Sequence, residues 1–208
     1  MPIDFVVSAL VTLIVVVDPI GLVPTFVGIT HGLPQKSRRN AAVRATLIAT
    51  LVLVGAALIG EWLLSELSIS LPAFRIAGGL LLFSIASEMV FGVRIQRQSS
   101  SAEQAIEEHV RNIAAFPLAI PLMAGPGAIT ATVLLAGRAS GDPLRLVLLI
   151  GVIVVTFAIC LIAFLTGARI ARWLGTTGNV VLSRLLGVIL AALAVQFVID
   201  GVRAVIAS

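Results

Sequence analysis

The sequence predicts an all-α polytopic membrane protein: six transmembrane helices forming a 3+3 inverted repeat, with helices 1 and 4 broken at mid-membrane. Three observations carry this expectation. The chain is 59% hydrophobic and only 12% charged, with a mean hydropathy of +1.15, whereas a soluble domain is about a quarter charged. Its apolar residues form six runs, roughly 4–30, 44–64, 73–92, 112–136, 144–166 and 181–203, each long enough for the ~20 residues a helix needs to cross a bilayer. The first and fourth runs are interrupted by prolines and glycines.

The first run contains Val17-Asp18-Pro19-Ile20-Gly21-Leu22-Val23-Pro24-Thr25-Phe26, and Asp18 is the one charge well inside it. A carboxylate at mid-depth in a bilayer is expensive and marks a functional candidate. Proline fits best at the first position of a helix, and aspartate is among the best residues just before it. Asp18-Pro19 therefore reads as the start of a new half-helix running to about Thr30. Asp18 has two compatible readings: it only caps that half-helix, or it also meets a cation. The fourth run repeats the device as Ala124-Gly125-Pro126-Gly127-Ala128-Ile129-Thr130, with Gly125 as the plainer cap. Pro117 and Pro121 are expected to kink the chain before this second break, and Pro24 the chain after the first.

The second and third runs carry little chemistry. Arg75 opens the third and Glu88 lies near its end, where pairing with Arg94 or Arg97 is expected. Glu61 and Asp200 are expected near the opposite face, and Gln196 lies deeper. The polar connection of about 93–111 holds a capping-box pattern, Ser101 to Gln104, and an i,i+4 pair, Glu107 with Arg111. It reads as a surface helix linking two halves. Gly78, Gly79, Gly151 and Gly187 read as helix-packing positions.

The last two runs complete a repeat. Arg75, Gly78 and Gly92 match Arg184, Gly187 and Gly201 at an offset of 109, and Asp18-Pro19 matches Gly125-Pro126 at 107. Under the second offset Thr25 falls on Thr132. Three spans per half is an odd number, so the halves lie in opposite senses. The chain is read as one membrane domain, 1–208, with repeats of about 1–92 and 112–208. Binding sites in such folds lie at the repeat interface near the midplane. Half-helix starts carry unpaired N–H groups and the positive end of a helix dipole, which suits a carboxylate.

Charge distribution sets orientation. Connections after runs 1, 3 and 5, with their flanks, hold ten of the 14 basic residues, which by the positive-inside rule puts both termini outside. Re-entrant hairpins for segments 1 and 4 are the alternative. The net charge of +4 sits at the ends of apolar runs, so a nucleic-acid partner is not expected. Cys160 is alone, which excludes an internal disulfide. The absence of a basic n-region, with Asp4 as the first charge, argues against a cleavable signal peptide. His31 and His109 do not suggest a metal site.

Asp18 to Phe26, Arg75-Ile-Ala-Gly-Gly-Leu-Leu-Leu-Phe83, Phe116-Pro-Leu-Ala-Ile-Pro-Leu-Met-Ala-Gly-Pro-Gly-Ala-Ile129 and Val195-Gln-Phe-Val-Ile-Asp-Gly201 resemble the MarC family of bacterial and archaeal inner-membrane proteins. The resemblance covers essentially the whole chain and implies a six-span inner-membrane protein. Archaeal members include a transporter of small neutral amino acids such as glycine and alanine. The expectation is therefore a secondary transporter, with no cofactor and with coupling to H+ or Na+ left open. The expected binding residues are Asp18, Pro19, Gly21, Thr25, Gly125, Pro126, Gly127, Ala128, Thr130 and Thr132. A homo-oligomer is compatible with the sequence. The alternatives are an intramembrane enzyme, which would need a second catalytic group at the depth of Asp18, and a non-transporting scaffold.

Overall fold

The computed structural model describes residues 2–93 and 114–207. The surface helix expected within 93–111 lies outside the described residues, apart from Val93, as do Arg94, Arg97 and His109. Eight helices and no strand occur among the described residues. They are α1 Pro2–Val17, α2 Leu22–Ile29, α3 Gln35–Glu66, α4 Leu71–Phe91, α5 Ala114–Met123, α6 Pro126–Ala139, α7 Pro143–Leu165 and α8 Gly167–Ile206.

Local chemistry accounts for most of the boundaries. Ser70 accepts a hydrogen bond from Ala73 N–H at 3.3 Å, with Pro72 in the first turn of α4. Asp142 accepts from Leu144 N–H at 3.1 Å and Arg145 N–H at 3.3 Å ahead of Pro143 at the start of α7. Gly92 ends α4 at φ 80°, a left-handed position that glycine occupies without steric penalty. Helices α3 and α8 begin well before their apolar runs, and in α3 the added turns, residues 35–40, are mostly exposed, as polar residues continuing a helix into water should be. The apolar run marks only the part that needs lipid.

Helices α3, α4, α7 and residues Thr177–Ile206 of α8 are each long and apolar enough to cross a membrane, and α1 with α2, bent by 45°, makes a fifth such unit. Leu51 (71% exposed), Leu80 (60%), Val147 (64%) and Val188 (59%) are among the many large apolar side chains turned outward. In a multi-pass membrane protein that surface meets acyl chains, so burial between helices brings no hydrophobic gain and close packing must hold the bundle. The buried face of α3 is accordingly a stripe of mainly small residues: Ala42, Ala45, Thr46, Ala49, Leu53, Ala57 and Gly60.

Helix α6 is central, packing on α1, α3, α4 and α7. A methyl group at Gly60 of α3 would lie 2.6 Å from Val133 Cγ2, and one at Gly78 of α4 would lie 2.6 Å from Thr130 Cγ2. The broadest helix pair is α4 with α8. Gly79 faces the Ala194 carbonyl oxygen at 2.7 Å from an added Cβ, and Gly187 faces Met89 Cβ at 2.8 Å. Gly151 differs from its expected packing role: nothing lies within 4 Å of an added Cβ there. It occupies an outward face of α7.

Candidate functional site

The interruption of the first apolar run is a compact turn. α1 ends when the Asp18 N–H donates to Ile14 O at 2.9 Å, and Asp18 adopts φ 55°. Aspartate tolerates this left-handed region better than most residues, because its short side chain bonds locally. The side chain does so here, with Oδ1 accepting from Gly21 N–H at 3.0 Å, while the Asp18 carbonyl accepts from Leu22 N–H at 3.1 Å. The expected half-helix start at Asp18-Pro19 is thus displaced: Asp18 closes α1 and caps a turn through Pro19–Gly21, and α2 begins only at Leu22, because the left-handed Asp18 backbone spends three residues in the turn before helical bonding resumes. The formal cap of α2 is Gly21, which makes no side-chain cap bond. A Cβ at Gly21 would overlap the Asp18 carboxylate, so glycine is needed for that carboxylate to keep this position.

Pro24 lies in the first turn of α2, where a missing N–H breaks no helical bond, and α2 runs through it to Ile29. The expected kink there is replaced by a clean helix start. Phe26 of α2 stacks on Phe164 of α7, centroids 4.5 Å apart at 17°.

The fourth run is interrupted differently. α5 is wound as a π-helix over Ala114–Met123, its last bond running from Ala124 N–H to Ala119 O at 2.8 Å, and Ile120–Pro121 is cis. The segment holding Pro117 and Pro121 is thus wide-wound where a kinked α-helix was expected. α6 then starts as read from sequence, with Gly125 as an extended cap (φ −79°, ψ 174°) and Pro126 in first position. A Cβ at Gly125 would overlap the Pro121 carbonyl oxygen. The Gly125 carbonyl accepts from Ile129 N–H at 3.0 Å. Among the described residues the N–H groups of Gly125, Gly127 and Ala128 have no hydrogen-bond partner.

The two interruptions adjoin. A Cβ on Gly127 would overlap Ile85 Cδ1 of α4 and lie 3.5 Å from Val16 Cγ1, two residues before Asp18. Cys160 of α7, also buried, is near enough to Asp18 to interact with it electrostatically. Asp18, Pro19, Gly21, Thr25, Gly127, Ala128, Thr130 and Thr132 are buried, and Gly125 is half-buried. Pro126 is exposed, so its ring does not share the interior with Pro19. Thr132 Oγ1 donates back to Ala128 O at 2.7 Å. Thr25 and Thr130 have no side-chain hydrogen bond among the described residues. Val16 and Ile85, which wall Gly127, were not legible as site residues because nothing local distinguishes them from other packing positions.

Other polar residues gather at the end of the bundle where α3, α6 and α8 finish. Arg138 Nη2 lies 2.8 Å from Asp200 Oδ2, and the guanidinium sits 4.7 Å above the Phe197 ring. Gln196, read from sequence as deep enough to reach the centre, instead donates to Asp200 Oδ1 at 2.7 Å. Ser140 donates to Glu61 at 2.8 Å. No group of three or more His, Cys, Asp or Glu side chains able to hold a metal occurs among the described residues.

A profile described as MarC family integral membrane protein matches residues 3–206. The chain belongs to the MarC family. Curated relatives span nearly its full length. A UPF0056 membrane protein of Methanocaldococcus jannaschii is 36% identical over 208 residues, covering 98% of both chains. One of Archaeoglobus fulgidus is 35% identical over 199 residues, covering 95% of this chain and 92% of its own. One of Buchnera aphidicola is 33% identical over 189 residues, covering 91% and 87%. No solved structure matches this MarC chain. The relatives' names describe membrane proteins and assign them no activity.

Proposed function

We propose that this MarC protein is a secondary transporter of small neutral amino acids, glycine- or alanine-like, held between the interruptions at Asp18–Gly21 and Gly125–Ala128. The observation that carries the reading is the trio of unpartnered N–H groups at Gly125, Gly127 and Ala128 beside the end of α1. Backbone donors left open inside a membrane protein survive where a ligand or water satisfies them. A substrate carboxylate suits them, aided by the positive end of the α6 dipole. The substrate ammonium is assigned to Asp18, whose carboxylate is held in place by Gly21. At the first interruption the Gly21 N–H is taken by Asp18 and the Leu22 N–H by the Asp18 carbonyl, so the carboxylate is assigned mainly to the second. The Thr25 and Thr130 hydroxyls, buried and without a side-chain hydrogen bond among the described residues, are candidates for further contacts, and the surrounding glycines favour a small side chain.

The architecture proposed with this function is six crossings in two inverted halves, α1–α4 and α5–α8, each opening on a broken helix. Support comes from packing related by the repeat: α4 against α8, α3 against α7, and α1 against α7 as α3 against α5. Gly201 sits by Arg75, 3.2 Å from its Cβ, and Gly92 by Arg184, 4.0 Å from its Nη2, both measured from an added Cβ. Residence in the inner membrane is proposed from the family resemblance, and both termini outside from the distribution of basic residues. The driving ion, H+ or Na+, is part of the proposal left to the assay, as is a homo-oligomeric state.

Counterflow of labelled glycine and alanine in proteoliposomes tests this, comparing wild type with Asp18→Asn. Transport in the wild type, and a loss of at least tenfold in a folded Asp18→Asn, is the expected result. Equal transport by the two removes Asp18 from the site, and a wild type that moves neither amino acid favours a scaffold. Gly127→Ala, which crowds the junction without altering charge, is expected to lower alanine transport more than glycine transport.

A further inference from the structure

At the end of the bundle where α2 stops and α3 starts, a cavity of about 440 Å³ combines two kinds of lining. Its apolar part is the stacked Phe26–Phe164 pair with Leu33 and Leu165, the leucines 36% and 50% exposed. Its polar part is Gln35, Arg38 and Arg39, which share a face of α3 because residues three and four apart are helix neighbours. The next face of the same turns, through Lys36, Asn40, Val43 and Arg44, borders a second depression of about 780 Å³, and Arg39 lines both. Among the described residues none of Lys36, Arg38, Arg39 and Arg44 has a carboxylate within ion-pair distance.

Like charges crowded on one helix face repel, so an anion bound among them is favoured. Depth argues for which anion. α3 has 32 residues and is about 48 Å long at 1.5 Å per residue, against ~30 Å of hydrocarbon. Its polar first turns therefore stand in the headgroup layer. A free phosphate would satisfy the arginines and leave Leu33 and Leu165 exposed, above an aromatic pair that is itself buried. A phospholipid satisfies both linings. We propose that this cavity binds an anionic phospholipid, its phosphate on Arg38 and Arg39 and an acyl chain along the exposed Leu33 and Leu165. Lys36 and Arg44 hold the surrounding field positive. The site is separate from the proposed transport site and does not depend on it.

The test uses the full chain purified in a non-ionic detergent and a fluorescent phosphatidylglycerol, with unlabelled lipids and soluble anions as competitors. Unlabelled phosphatidylglycerol is expected to displace the probe, phosphatidylcholine to do so at least tenfold less well, and millimolar inorganic phosphate or glycerol 3-phosphate not at all. Arg38→Gln with Arg39→Gln is expected to weaken binding roughly thirty-fold, the contribution of two cations near a charged headgroup. Arg203→Gln, at the far end of α8, is expected to bind as wild type. Equal competition by phosphatidylcholine, or wild-type affinity in the double variant, overturns the proposal. Displacement by phosphate alone reassigns the cavity to a free anion and overturns it as well. Should the double variant not fold, the wild type still decides: binding that is indifferent to added salt excludes an arginine–phosphate contact.

Discussion

Asp18 holds a backbone conformation, φ 55°, that costs an ordinary residue roughly 1–2 kcal/mol, and its own side chain offsets that through the bond to Gly21. The pair behaves as one unit, since Gly21 can carry no Cβ while the carboxylate lies over it. Asp18→Asn keeps an acceptor oxygen and tolerates the same backbone, so the melting temperature in detergent is expected to stay close to wild type. Asp18→Ala and Gly21→Ala each break the bond within a buried turn and should destabilise by about 1–3 kcal/mol. Thermal unfolding of the three variants checks this order. If Asp18→Asn falls as far as Asp18→Ala, the negative charge itself holds the turn. The sequence made the capping role legible, because Asp before Pro has few other uses. It could not show the left-handed backbone, which depends on how α1 ends rather than on which residue follows.

Among the elements, the glycines divide by what faces them. Gly79 sits against the backbone of α8, where the Ala194 carbonyl cannot move aside, whereas Gly151 of α7 meets open space. Gly79→Leu is therefore expected to destabilise by more than the 1–3 kcal/mol usual for overpacking, and to lose monodisperse protein on size-exclusion chromatography. Gly151→Leu should be neutral or slightly stabilising through gained helix propensity. Equal behaviour of the two would mean that α4 and α8 do not pack as described. Sequence reading gave both glycines the same role, since spacing along one helix does not say which face meets a neighbour. The same limit applies to α5. Two prolines predicted an irregular segment, but the choice of a π-helical winding over a kink is made by what surrounds it.

For the whole molecule, the first question is whether α1 and α2 cross the membrane together or turn back. Their bend of 45° fits a broken span or a re-entrant loop; under the proposed architecture the pair crosses, and residues 3 and 37 would then lie on opposite sides. In a Cys160→Ser background, Ile3→Cys and Ser37→Cys are expected to react with an impermeant thiol reagent from opposite faces of sealed vesicles. Reaction from the same face would make the first segment re-entrant and would end the inverted-repeat reading.

Composition and the six apolar runs were enough to determine a helical, multi-pass membrane protein, because crossing lipid imposes a length and polarity that local sequence must display. Gly125 and Pro126 likewise announced where α6 starts, and Asp18-Pro19 where α1 stops, since their backbone chemistry is local, although α2 restarts three residues later than expected. Only the tertiary structure decided that Val16 lies against Gly127, that Gln196 serves Asp200, and that Arg38 and Arg39 share a cavity with Phe26 and Phe164. Such contacts join residues far apart in the chain, and within lipid they rest on shape and close approach, which no local pattern of hydrophobicity encodes.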